Sequence, residues 1–178
     1  MIRRATPADA EAVARVQVAT WRAAYAGLIP APVLDALSVP AGTARWDGLL
    51  RDPAVPTWVA EDGAEVVGFA TAGPARDADA PGAGEIYAAY VLPEAQGSGR
   101  GRALLDAGLA WMETAGHVCG TLWVLTANAA GRAFYEACGW RPDGAARGID
   151  VGGAVVDEVR YRISTRATRV LTAAPALR

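Results

Sequence analysis

Apolar residues fall at two periods along this chain, and each change of period marks an element. Ile2–Ala5 reads as a short first strand. Helical spacing follows, with Thr6 as N-cap, Pro7 at the first helical position and Asp9 as a carboxylate in the first turn. Val13, Val16, Thr20 and Ala24 form its inward stripe, and Val18, Trp21 and Tyr25 form an adjacent one. The pattern predicts a helix to about Ala26, stopped by Gly27. The run LIPAPVLDALSVPAGTARWDGLL predicts two short helices broken by Pro30, Pro32 and Pro40.

Alternation then takes over. TWVAEDGAEVVGFATAG predicts a hairpin turning at Asp62-Gly63, followed by a Pro, Gly and Asp-rich loop from Pro74 to Ala83. EIYAAYVL is the best buried strand, ended by Pro93. A glycine-rich segment leads into a helix reaching about Ala115, then TLWVLT gives a strand, and Asn128–Ala137 gives a helix stopped by Gly139. Trp140–Asp150 and Ala154–Ile163 close the pattern as two strands around Gly152-Gly153, and the tail Ser164–Arg178 is expected to fray or pack peripherally. This order predicts one mixed sheet covered by helices on both faces.

The segment QGSGRGRALLDAGLAWM, Gln96 to Met112, stands out. Glycines there cost roughly 0.5–1 kcal/mol each relative to alanine. A strand, a glycine turn and a helix start together form an anion site, because the first helical amides lack partners and the helix dipole adds positive potential. Arg100 and Arg102 add full charge, while Leu104, Leu105, Leu109 and Met112 anchor the helix. A glycine turn before a helix is also often no more than a turn. G-x-G-x-x-G fails in both frames, since Arg102 and Leu104 stand where the last glycine is needed. The remaining pattern is Q-x-x-G-x-G at Gln96, Gly99 and Gly101.

Composition narrows the chemistry. All 17 basic residues are arginine, which excludes a lysine Schiff base and a P-loop lysine. One histidine, His117, excludes a multi-histidine metal site and argues against a histidine triad, so no metal is expected. Cys119 and Cys138 form no C-x-x-C pair and read as small buried hydrophobes. A net charge of −2 argues against nucleic-acid and membrane-surface partners. With no long apolar run and no signal-like start, a cytoplasmic location is expected. The length of 178 residues suits one domain.

The Q-x-x-G-x-G run resembles the pyrophosphate-binding signature of the GNAT family, the acetyl-CoA-dependent N-acyltransferases. Glu85 precedes it near the start of a strand, and WVLTANAAGRAFYEACGW follows with Asn128, Tyr135, Gly139 and Trp140 at matching places. TWRAAYAGLIP is similar to the acceptor-side helix and loop of many members. The match runs from about residue 2 to 163 and implies a single domain over 1–163 with a tail over 164–178; the acidic loop Arg76–Ala83 carries no family motif. The implied fold is α+β, in three α/β/α layers, with a mixed, mostly antiparallel sheet of about six or seven strands.

The resemblance implies acetyl transfer from acetyl-CoA, as co-substrate, to the primary amine of a small molecule or a protein. Gln96, Gly97, Ser98, Gly99, Arg100, Gly101 and Arg102 would hold the diphosphate, and Ala89, Tyr90, Val91 and Leu92 the pantetheine arm beside a strand bulge. Asn128 would bond that arm or serve as a helix N-cap. Tyr135 would act as general acid toward the departing thiolate, and Glu85, or an ordered water chain in its place, as base. Trp21, Tyr25 and Tyr87 would line the acceptor pocket, although aromatics at helical spacing also serve as core; Asp77 and Asp79 would either attract a cationic amine or stay solvated. A homodimer is common in such a family. A non-catalytic acyl-CoA-binding module, or a small interaction domain with incidental glycines, would share much of this pattern.

Overall fold

The computed structural model describes residues 1–165; residues 166–178, most of the expected tail, lie outside the described part. Seven strands form one sheet in the order β1-β2-β3-β4-β5-β7-β6. They are β1 (Ile2–Arg4), β2 (Thr57–Asp62), β3 (Glu65–Pro74), β4 (Gly84–Val91), β5 (Cys119–Leu125), β6 (Arg141–Val151) and β7 (Ala154–Ser164). Every neighbouring pair is antiparallel except β4–β5, which is parallel and pairs only Gly84, Glu85 and Ile86 with Gly120, Thr121 and Leu122. The α+β, three-layer expectation therefore holds.

Five helices cover the sheet: α1 (Ala10–Ala24), α2 (Ala31–Asp35), α3 (Val39–Leu50), α4 (Arg100–Thr114) and α5 (Ala129–Ala137). One core packs α1 and α3 against the sheet through Val13, Val16, Trp46, Val59 and Phe69. The other seats α4 on the opposite face through Leu104, Leu105, Leu109 and Met112, with Trp140 and Tyr161 fully buried beside them.

Local chemistry moves several expected boundaries. Pro7–Asp9 is a 3-10 turn rather than the start of α1, because the Asp9 carboxylate folds back onto the Thr6 N–H at 2.7 Å and Oγ1 at 3.0 Å. The α1 helix ends at Ala24, and Ala24 is exposed rather than inward. Pro32 and Pro40 sit in the first turns of α2 and α3, where a missing N–H costs nothing, so they start helices instead of breaking them. The β2–β3 turn is Gly63-Ala64, one residue later than expected, with Gly63 at φ +59°. Ser164 pairs with Cys119 and the Thr165 hydroxyl donates to the His117 carbonyl at 2.8 Å, so the folded unit extends past Ile163.

Candidate active site

The sheet opens where β4 outruns β5. Beyond Ile86, β4 continues to Val91 with no β5 partner, while β5 turns its other edge to β7. Opposite β3 the register shifts between Thr71 and Ala72, leaving Tyr87 as an extra residue between Ala88 and Ile86. The bulge turns side chains over. Ile86 lies in the α4 core, Ala88 and Tyr90 pack toward α1, and Ala89 packs back toward α4. A cleft of about 940 Å³ occupies this opening and is lined from both sheet faces.

On the α4–α5 side lie Gln96, Gly97, Gly99, Gly101 and Arg102, together with Asn128, Gly131, Phe134 and Tyr135. Gly99 caps α4 at φ 82°, a left-handed conformation suited to glycine. Among the described residues, no hydrogen bond within the chain engages the backbone N–H of any residue from Gly97 to Arg102. These donors, at the positive end of a 15-residue helix, can receive an anion. The Gln96 amide donates to the Val91 carbonyl at 3.1 Å and ties the turn to β4. That bond occupies the Val91 carbonyl. Phe134 stands 3.0 Å from where a Cβ on Gly101 would lie, a closeness that sequence reading missed.

Three of the expected cofactor residues do not line the cleft. Leu92 is buried in the α1 core. The Ser98 hydroxyl donates to the Ala95 carbonyl at 2.5 Å. Arg100 pairs with Asp62 at 2.8 Å, so its charge is directed to the β2 end. Asn128 does cap α5, its Oδ1 accepting from the Gly131 N–H at 2.9 Å, and it also faces the cleft.

The opposite wall carries Trp21, Tyr25, Glu85, Tyr87 and Tyr90. Trp21 meets Tyr25 edge-on at 5.2 Å, and the Tyr25 and Tyr90 hydroxyls are 3.5 Å apart. Burial pushes the hydroxyls of Tyr25, Tyr90 and Tyr135 upward; Tyr25 adds to the shifts of Tyr90 and Tyr135, while the hydrogen bond with Tyr90 opposes that of Tyr25. The Thr20 hydroxyl and the Trp21 indole N–H, both in cleft-lining residues, are buried with no hydrogen-bond partner among the described residues. Tyr87 donates to the Pro74 carbonyl at 2.6 Å, and the Arg76 guanidinium covers its ring at 4.3 Å.

Glu85 is only 2% exposed. Both of its oxygens are taken by Arg76: Oε2 accepts the backbone N–H at 3.0 Å and Nε at 3.3 Å, and Oε1 accepts Nη2. Arg76 thus fills two acceptor positions on Oε2 and one on Oε1. Asp77 and Asp79 are also committed. Arg160 is buried and binds Asp77 at 3.2 Å, Asp79 at 2.7 Å and Asp143 at 2.8 Å, stapling the acidic loop to β6 and β7. Trp123 donates to Asp77 at 2.9 Å and carries the Arg147 guanidinium over its ring at 4.0 Å. Neither aspartate is left to attract an amine.

Arg76, Trp123, Arg147 and Glu158 all line the cleft and were absent from the sequence expectations. Periodicity does reveal that Trp123 and Leu125 share a strand face, as do Glu158 and Arg160. No sequence signal joins residue 76 to 85 or 147 to 158.

A split sheet with an unpaired-amide turn on one side and an aromatic, charged wall on the other leaves a cleft lined from both sheet faces. The sequence matches the model of the acetyltransferase (GNAT) family over residues 19–140. It is 32% identical to the uncharacterized N-acetyltransferase YuaI of Bacillus subtilis, covering 89% of each chain. Identity to the probable N-acetyltransferase Rv2775 of Mycobacterium tuberculosis is 29%, covering 91% of this chain and 92% of that one. In structure it resembles yncA of Salmonella typhimurium, solved with its cofactor acetyl-CoA, at TM-score 0.70 and 20% identity, covering 100% of this chain and 96% of that one. It also resembles the PaiA N-acetyltransferase of Thermoplasma acidophilum, solved with coenzyme A, at TM-score 0.69 and 19% identity, covering 89% and 96%. The chain belongs to the GNAT family and is an acyltransferase enzyme.

Proposed function

We propose that this enzyme transfers the acetyl group of acetyl-CoA to a primary amine of a small molecule or a protein, by direct attack in a ternary complex. The observation that carries the reading is the cleft through the sheet, reached by unpaired amides on one face and by an aromatic wall on the other. The amides from Gly97 to Arg102 would hold the diphosphate. The unpaired edge of β4 after Ile86 would take the pantetheine arm as a further strand and offer an N–H to the thioester oxygen.

In the reaction the amine nitrogen attacks the thioester carbonyl carbon. The C–N bond forms, the oxygen carries the developing charge, and collapse breaks the C–S bond. The leaving thiolate takes a proton from the Tyr135 hydroxyl. Burial raises that hydroxyl, so it still carries its proton when the thiolate departs. The attacking nitrogen loses its proton to Glu85 through water, and Arg76, whose side chain is 61% exposed, has room to swing aside as the carboxylate takes that proton.

Thiol release from acetyl-CoA, measured across a panel of primary amines, tests the reading. Release that depends on an amine, with N-acetylated product found by mass spectrometry, is expected. Tight acetyl-CoA binding with no amine-dependent release would overturn it.

A further inference from the structure

Glu85 and Glu158 are the two carboxylates among the described cleft-lining residues, and they are held differently. Glu85 is closed on both oxygens by Arg76. Glu158, on β7, is held by one oxygen. Arg147 Nε at 3.1 Å and Nη2 at 3.0 Å both donate to Oε2. Oε1 has no hydrogen-bond partner among the described residues. Arg147 is itself held over the Trp123 ring at 4.0 Å and against Asp77 at 3.5 Å, which limits how the carboxylate it binds can turn.

Register places this group at the opening. Glu158 pairs with Leu125, the last residue of β5, whereas Glu85 pairs with Thr121, four residues deeper along the same strand. Glu158 shares the face of Val156, which packs with Leu125, Trp21 and Tyr25. Its charge is felt by the Tyr25 hydroxyl, and Tyr25 in turn by Tyr135. A carboxylate with one free oxygen beside two aromatic side chains is suited to a cation, through a charge-assisted hydrogen bond and contact with the ring faces. Asp77 and Asp79 offer no competing site, being bound by Arg160.

We propose that Glu158 is the residue that docks the acceptor: its Oε1 receives the ammonium group in which an aliphatic amine arrives, the nitrogen releasing one proton to water before it attacks, and this gives the enzyme its preference for an acceptor that arrives charged over one that arrives uncharged. This rests on the transferase reading above. A polar side chain that only braced the β6–β7 hairpin would show no dependence on acceptor charge.

The test is steady-state thiol release at neutral pH by the wild type and by Glu158→Gln. The acceptors are the best aliphatic amine of the panel and a hydrazide, which is uncharged at that pH. Loss of one charge-assisted hydrogen bond should raise the KM for the aliphatic amine roughly 10- to 100-fold. The KM for acetyl-CoA and the kcat/KM for the hydrazide should not change. If Glu158→Gln does not fold, judged by melting and by acetyl-CoA affinity, Glu158→Asp keeps the charge but withdraws it, and a smaller rise confined to the aliphatic amine is expected. An unchanged aliphatic KM, or equal losses with both acceptors, overturns the assignment to Glu158 and leaves the transferase reading intact. A wild type that releases no thiol with any amine overturns the transferase reading, and this inference falls with it.

Discussion

Replacing Gly99 by alanine separates the cost of a strained turn from the loss of an anion site. Gly99 sits at φ +82°, and a Cβ built there meets no atom within 4 Å, so the methyl would point into open space at the α4 N-terminus. The left-handed backbone alone costs a non-glycine residue about 1–2 kcal/mol. For a protein of this size that lowers the melting temperature by about 2–8 °C, at about 2–4 °C per kcal/mol. Gly153 supplies the matched control. It lies between β6 and β7 at φ +86°, also with nothing within 4 Å of its Cβ position, and it does not line the cleft. Both alanine variants should melt lower by similar amounts without ligand. Only Gly99→Ala should weaken acetyl-CoA binding, by roughly 10- to 100-fold if the methyl displaces one charge-assisted contact to a phosphate. Calorimetric titration of both variants gives the answer. Equal affinities in the two would refute the anion assignment, however much either variant is destabilised.

Tyr135→Phe removes the proposed proton donor and should lower kcat by about 10²-fold or more while leaving acetyl-CoA affinity unchanged, as read by turnover and titration. The Asp9 carboxyl is held down to about 2, from an ordinary 3.8, chiefly by hydrogen bonds from the Arg3 guanidinium. A depressed carboxyl stabilises the fold above its unfolded pKa, and that stabilisation is lost as pH falls through the folded value. Asp9→Asn should therefore cost about 2 kcal/mol at pH 7, with the difference from wild type fading between about pH 5 and pH 2 in denaturant titrations. Arg160→Met leaves Asp77 and Asp143 with only their longer ion pairs, to Arg147 at 3.5 Å and to Arg162 at 3.6 Å respectively, besides the Trp123 bond to Asp77, and should cost roughly 1–3 kcal/mol and hasten proteolysis within the acidic loop.

The residues readable from sequence are those whose role is local. Gly99 at a helix start, Asn128 as a cap, Gly139 at a helix end and the run Glu85–Leu92 each declare themselves within a few positions, because caps, turns and alternation act over one or two turns of chain. A bulge beside Ala89–Leu92 is expected only through family resemblance, since nothing local to EIYAAYVL marks it, and it falls earlier, at Tyr87. The Arg160 staple and the one-sided grip of Arg147 on Glu158 were not legible at all. They join side chains 81 and 11 residues apart, and only the strand order brings them together. Arg76 shows the same limit: it stands nine residues before Glu85, in a loop with no periodic pattern, and it changes what Glu85 is free to do.

The parallel contact of β4 with β5 spans just three residues, and the gap beyond it has two mouths. The glycine turn and α5 form one, while α1 and the β6–β7 hairpin form the other, with few side chains in common. On the proposed assignment of the two sides, drift along the hairpin or the α1 end would retune the acceptor without touching the grip on acetyl-CoA. A descendant of this chain could change its clientele by rewriting one mouth and inheriting the other whole.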